Sequence, residues 1–139
     1  MESLLVTDYM SKRPVKLKIN MPVAEAVERL LDSHQTGGPV VDENNKVVGF
    51  LSEQDCIRMM IESSYYREQV CRVEEIMHTE VLTVKPYSSI LELAQQMLEL
   101  KPKVYPVVDD DGYLLGNINR SDILRAIDKQ LRSGYKEAS

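Results

Sequence analysis

The chain has 139 residues, 43% hydrophobic and 28% charged, with a net charge of −5 at pH 7. This is ordinary soluble globular composition, and the acidic balance argues against a nucleic-acid or anionic-membrane surface. No apolar run approaches the roughly 20 residues of a membrane helix. The start, Met1-Glu2-Ser3-Leu4-Leu5-Val6-Thr7-Asp8, lacks the basic head and apolar stretch of a signal peptide, and Cys56 and Cys71 have no C-x-x-C spacing. Two solitary cysteines point to a reducing, cytoplasmic setting without a metal framework.

In chain order, Leu4 to Met10 predicts a short helical turn, followed by a basic loop, Ser11-Lys12-Arg13-Pro14. Val15 to Ile19 alternates apolar and charged residues, the period of a half-buried strand. Asn20-Met21-Pro22 starts a helix whose apolar face carries Val23, Ala26, Val27, Leu30 and Leu31, and Gly37-Gly38 breaks it. Pro39-Val40-Val41 reads as a strand buried on both faces, Asp42 to Asn45 as a turn, and Lys46 to Leu51 as the next strand. Ser52-Glu53-Gln54-Asp55 opens a helix with Ile57, Met60 and Ile61. After a polar linker, 63–72, the order recurs. Val81 to Val84 predicts a strand, Ser88 to Leu100 a helix, and Val104 to Val108 with Tyr113 to Ile118 a hairpin around an Asp-Gly turn. Asn119 caps a last helix with Ile123, Leu124, Ile127 and Leu131, and 132–139 reads as a polar, frayed tail.

The recurrence is a duplication. Pro106 follows Pro39 by 67 positions, and Asp122 follows Asp55 by the same interval. Val6/Val73, Met10/Met77, Val40/Val107, Val41/Val108, Asp42/Asp109, Gly49/Gly116 and Arg58/Arg125 keep that offset without a gap. An ungapped match through loops as well as core means two copies of one unit. The expected fold is α+β: two βαββα repeats, 1–62 and 73–131, packed about a pseudo-two-fold axis with three-stranded sheets facing and helices outside.

The repeated apolar-Pro-Val-Val-Asp followed by Gly-x-x-Ser/Asn-x-x-Asp closely resembles the CBS domain, named for cystathionine beta-synthase. Two in tandem resemble a Bateman module, here standing alone. The resemblance covers about residues 4 to 130. It implies a cleft between the repeats for AMP, ADP, ATP or S-adenosylmethionine, no required cofactor, assembly as a homodimer, and a regulated partner protein.

Ser52-x-x-Asp55 is by itself a capping box. It is equally a nucleotide motif, because a helix N-terminus offers free N–H groups to a phosphate and a carboxylate one turn in accepts ribose hydroxyls. In the second copy Asn119 replaces the hydroxyl residue before Asp122, and Arg120 offers a bidentate phosphate donor where the first copy has Glu53. By resemblance the base lies between the first strand and the segment before Pro-Val-Val. That is Val15, Lys16, Thr36, Gly37, Gly38 and Pro39 in one repeat, and Leu82, Thr83, Lys103, Val104, Tyr105 and Pro106 in the other. Tyr105 stacks on a base, fills and blocks the slot, or belongs to the core or an interface. Lys12, Arg13 and His78 are candidate phosphate contacts. His34 and His78 lack zinc spacing, and Asp109 to Asp111 lacks a calcium-loop pattern.

The function expected is a non-catalytic adenosyl-ligand sensor; the alternative is a structural dimerisation module with empty clefts. An enzyme is disfavoured, since no nucleophile–base pair, metal spacing or phosphate-binding P-loop is present in the sequence.

Overall fold

The alternation at Val15 to Ile19 does produce a strand, but a short one, β1 (Leu17–Lys18). The computed structural model describes residues 4–62, 71–99 and 102–138, so most of the expected linker, 63–70, lies outside the described residues. A 3-10 turn, Val6–Asp8, precedes β1. Then come α1 (Val23–Ser33), β2 (Gly37–Val41), β3 (Val47–Ser52) and α2 (Glu53–Glu62). β1 runs parallel to β2, with Leu17 opposite Val40, and the crossover that a parallel pair requires is α1. β2 and β3 form an antiparallel hairpin with Val40 opposite Gly49 and a bulge between Val40 and Val41. The second repeat has α3 (Val73–Ile76), α4 (Ile90–Glu99), β4 (Val104–Val108), β5 (Leu114–Asn119) and α5 (Arg120–Ala138). Its hairpin repeats the register, Val107 opposite Gly116, with a bulge between Val107 and Val108.

Two expectations need correction. Val81 to Val84 is not a strand: only Val84 bridges to Val107, and the second sheet has two strands. The difference is one pairing: Leu17 and Val84 sit alike opposite Val40 and Val107, and Lys18 opposite Val41 extends the first into a strand. A Cβ at Gly38 would stand 2.8 Å from Val15 Cγ1 and 3.0 Å from the Val15 carbonyl, so glycine lets the first strand lie against β2. The second repeat has Tyr105 at that place. The polar tail is not frayed either, because α5 runs on to Ala138.

The two-fold relation extends to individual hydrogen bonds. Ser11 and Asn117 exchange backbone bonds of 2.8 and 3.0 Å, and their counterparts His78 and Phe50 exchange two of 2.9 Å. Likewise the Val6 N–H reaches the Ser88 carbonyl at 2.9 Å, and the Val73 N–H reaches that of Met21 at 2.9 Å. These pairs show an exchange. Val6, with Leu4 and Met10 beside it, packs into the second repeat's core, and Val73, Ile76 and Met77 pack into the first. The repeated glycines make room for it: a Cβ at Gly49 would meet Met77 Sδ at 2.5 Å and the His78 carbonyl at 2.9 Å, and one at Gly116 would collide with the Ser11 carbonyl.

The sheets face each other through β2 and β4, with the helices outside. Leu17, Val40 and Leu51 anchor one core and Ile90, Val107 and Ile118 the other, each fully buried side chain contributing about 1.5–3 kcal/mol over its exposed state. The helices carry more apolar surface than the cores take up. Leu31, Ile57, Ile61, Leu98, Leu124 and Leu131 are exposed, and so is Met60, which was expected to fill the core.

Candidate functional site

Two clefts lie at the seam between the repeats, and each draws on both. The first, about 110 Å³, has Arg13, Pro14, Val15 and Gln35 on one wall and Asn117, Asn119 and Asp122 on the other. The second, about 260 Å³, sets Phe50 of the first repeat against His78, Leu82, Pro102 and Val104 of the second. The candidates thus sort crosswise: the segment after the leading turn of one repeat faces the β-hairpin of the other.

Each hairpin ends where a helix begins, and the motif side chains close reciprocal caps there. The Ser52 N–H and Oγ–H donate to Asp55 Oδ2 at 3.0 and 2.7 Å, while the Asp55 N–H donates to Ser52 Oγ at 3.1 Å. The Asn119 N–H donates to Asp122 Oδ2 at 3.0 Å, and Asn119 Oδ1 accepts from the Asp122 N–H at 2.9 Å. Both motifs are therefore capping boxes with Asp in the third position.

The carboxylates differ in what remains available. Asp55 is 7% exposed, and its Oδ1 is held by His78 Nε2 at 3.0 Å, with Arg58 at 3.8 Å. It borders a separate depression with Arg58, Met59 and Glu62, and it meets the second cleft through His78. Asp122 is 15% exposed, lines the first cleft directly, and pairs with Arg125 at 3.0 Å. The Asp55 carboxylate also acts on Cys56: burial, then the charges of Asp55 and Glu53, push that thiol up to about 11. Burial raises Cys71 as well. Thiolate being the reactive form, Cys56 is an inert packing residue.

Several predicted site residues lie elsewhere. Tyr105 is fully buried in the second core, the last of its three alternatives, and lines neither cleft. Its hydroxyl has no hydrogen-bond partner among the described residues, and burial raises its pKa. Tyr105→Phe removes an unsatisfied buried group and should leave stability unchanged or raise it by up to about 1 kcal/mol, as measured by urea unfolding. Arg120 is exposed and outside the lining of either cleft; its N–H donates to the Lys103 carbonyl at 2.9 Å. The Thr36 carbonyl accepts in the same way from Glu53 at 2.8 Å. Lys16 turns its Nζ to Asn45 Oδ1 at 3.1 Å. Lys12 and Thr83 are exposed, while Gly37, Gly38, Pro39 and Pro106 are buried in their strands. Of the candidate phosphate contacts, Arg13 lines the first cleft and His78 the second.

Sequence reasoning passed over Pro14, Gln35, Phe50 and Asn117. The last two occupy equivalent strand positions, and a polar residue in an otherwise apolar strand was the one available signal.

The sequence model of the CBS domain matches residues 6–62 and 73–129. A CBS domain-containing chloroplastic protein of Arabidopsis thaliana, CBSX1, is 29% identical over 96% of this chain and 68% of its own. The structure of CBSX2 in complex with AMP superposes with a TM-score of 0.80 at 29% identity, covering 91% of this chain and 97% of that one. The CBS pair of protein MJ0100, in complex with 5'-methylthioadenosine and S-adenosyl-L-methionine, gives 0.80 at 27% identity, covering 93% and 99%. With both repeats matched and the exchange of leading turns common to both halves, the chain belongs to the CBS-domain family as a tandem pair.

Proposed function

We propose that the chain is a non-catalytic regulatory module that takes an adenosyl ligand, AMP, ADP, ATP or S-adenosylmethionine, in the first cleft between its repeats. The observation that carries this reading is Asp122, a cleft-lining carboxylate facing Arg13 across the seam. Such a pairing offers acceptors for ribose hydroxyls at one end and a cation for a phosphate or carboxylate at the other. The complexes of CBSX2 with AMP and of MJ0100 with S-adenosyl-L-methionine support the ligand class.

The cleft volume, about 110 Å³, is below the roughly 300 Å³ at the small end of ligand sites. Entry of a nucleoside therefore goes with a wider cleft, and a relative shift of the two repeats that wall it would supply one. A ligand that binds the wider arrangement better than the closed one shifts the population between them, and a partner protein reads that shift. At the second cleft the structural alternative has its own support, since His78 occupies the Asp55 carboxylate and joins the repeats there.

The exposed Ile57 and Ile61 on α2 and Leu124 and Leu131 on α5 support a homodimer through the outer helices. No helix among the described residues is long and apolar enough to cross a membrane. The free thiols of Cys56 and Cys71 support a reducing, cytoplasmic setting. Isothermal titration of the full chain with the four ligands should give saturable binding of at least one; silence from all at millimolar concentration would overturn the reading.

A further inference from the structure

Asn117 is 5% exposed and lines the first cleft, and its Oδ1 has no hydrogen-bond partner among the described residues. Its backbone is committed, both N–H and carbonyl pairing with Ser11. The unmatched group is the side-chain oxygen Oδ1. Buried polar atoms are nearly always paired, and one left unpaired bears its full desolvation cost. The duplication supplies an internal control. The equivalent position is Phe50, which lines the second cleft and whose Cε1 lies 2.7 Å from where a Gly37 Cβ would stand. One cleft thus has an amide where the other has an apolar ring.

We propose that Asn117 is the specificity-determining residue of the first cleft and reads the edge of an adenine. This rests on the adenosyl reading of the same cleft. The amide oxygen accepts from the exocyclic amine, and the amide nitrogen donates to the adjacent ring nitrogen, the pairing by which asparagine recognises adenine elsewhere. With N7 as that ring nitrogen, a 6-oxo purine presents acceptors at both O6 and N7, so the amide oxygen faces an acceptor in either orientation of the amide and stays unpaired. A site built around a buried hydrogen bond rejects the analogue that lacks it far more strongly than an apolar pocket rejects a change of shape. Phe50 brings the second cleft an apolar ring with no hydrogen-bonding group, so it cannot tell one purine edge from another.

Titrations of the full chain with AMP and with IMP, its 6-oxo counterpart, test this in the wild type and in Asn117→Leu. The wild type should bind AMP at least about 10-fold more tightly than IMP, and Asn117→Leu should bring the two within about 2-fold. Should Asn117→Leu fail to fold, Asn117→Ala, which only removes atoms, carries the same comparison. Equal affinities in the wild type, or a preference that survives loss of the amide, would overturn the proposal and leave the adenosyl reading standing. A wild type that binds none of AMP, ADP, ATP and S-adenosylmethionine would overturn both.

Discussion

Asp122→Ala should weaken adenosyl-ligand binding by at least about 100-fold while costing only about 1 kcal/mol of stability. The first figure follows from the loss of two hydrogen bonds to an ionised acceptor, each contributing about 1.5–3 kcal/mol, with 1.4 kcal/mol to each factor of ten. The second reflects what Asp122 does for the fold: it accepts from the Asn119 N–H and from an exposed Arg125, the work of an ordinary cap. Asp55→Ala should behave in the opposite way. That carboxylate is buried and accepts from the Ser52 N–H, the Ser52 hydroxyl and His78, so its removal strands several donors at a cost of about 2–4 kcal/mol. Calorimetric titration beside urea unfolding separates the two. Equal effects of both substitutions on binding would mean that the clefts are equivalent, against the asymmetry of their contacts.

Gly116→Ala should destabilise the fold by about 3 kcal/mol, lowering the melting midpoint by roughly 10 °C. The added methyl meets the Ser11 carbonyl first and Met10 Sδ at 3.3 Å. The first of these is backbone and is already held in the paired bonds to Asn117. It cannot swing aside as a methionine end can, so those bonds are strained together with the packing of the leading turn. Gly49→Ala meets the flexible Met77 first, with the His78 carbonyl behind it, and should cost less. Thermal unfolding of both variants measures the order; a Gly116→Ala change within about 0.5 kcal/mol would mean that the leading turn is not seated on the opposite repeat.

The duplication was legible because it is a statement about spacing. Pairs such as Pro39/Pro106 and Gly49/Gly116 announce equal folds, and Ser52-x-x-Asp55 with Asn119-x-x-Asp122 locates two helix starts. The exchange of leading turns was not legible, although its trace was present in the repeated Met10/Met77 and Gly49/Gly116. Which glycine receives which methionine is a tertiary relation, and local periodicity carries no information about it. The same holds for the crosswise clefts: nothing near Val15 in the sequence says that its facing carboxylate is Asp122. Tyr105 stayed undecided between ligand and core because its neighbours in sequence say nothing of its burial. Arg120 was misplaced because a favourable charge beside a motif says nothing about the direction of its side chain. How much of each apolar helix stripe the core takes up was not legible: Leu98 and Leu124 are exposed, since a stripe broader than its partner surface leaves part of itself uncovered.

The most direct test is a crystal structure of the chain grown with AMP or S-adenosylmethionine. Expected is ligand density at the seam bounded by Val15 and Asp122, with the ribose hydroxyls on the Asp122 carboxylate and the charged end toward Arg13. Density held by one repeat alone, or an Asp122 that makes no contact with the ligand, would contradict it.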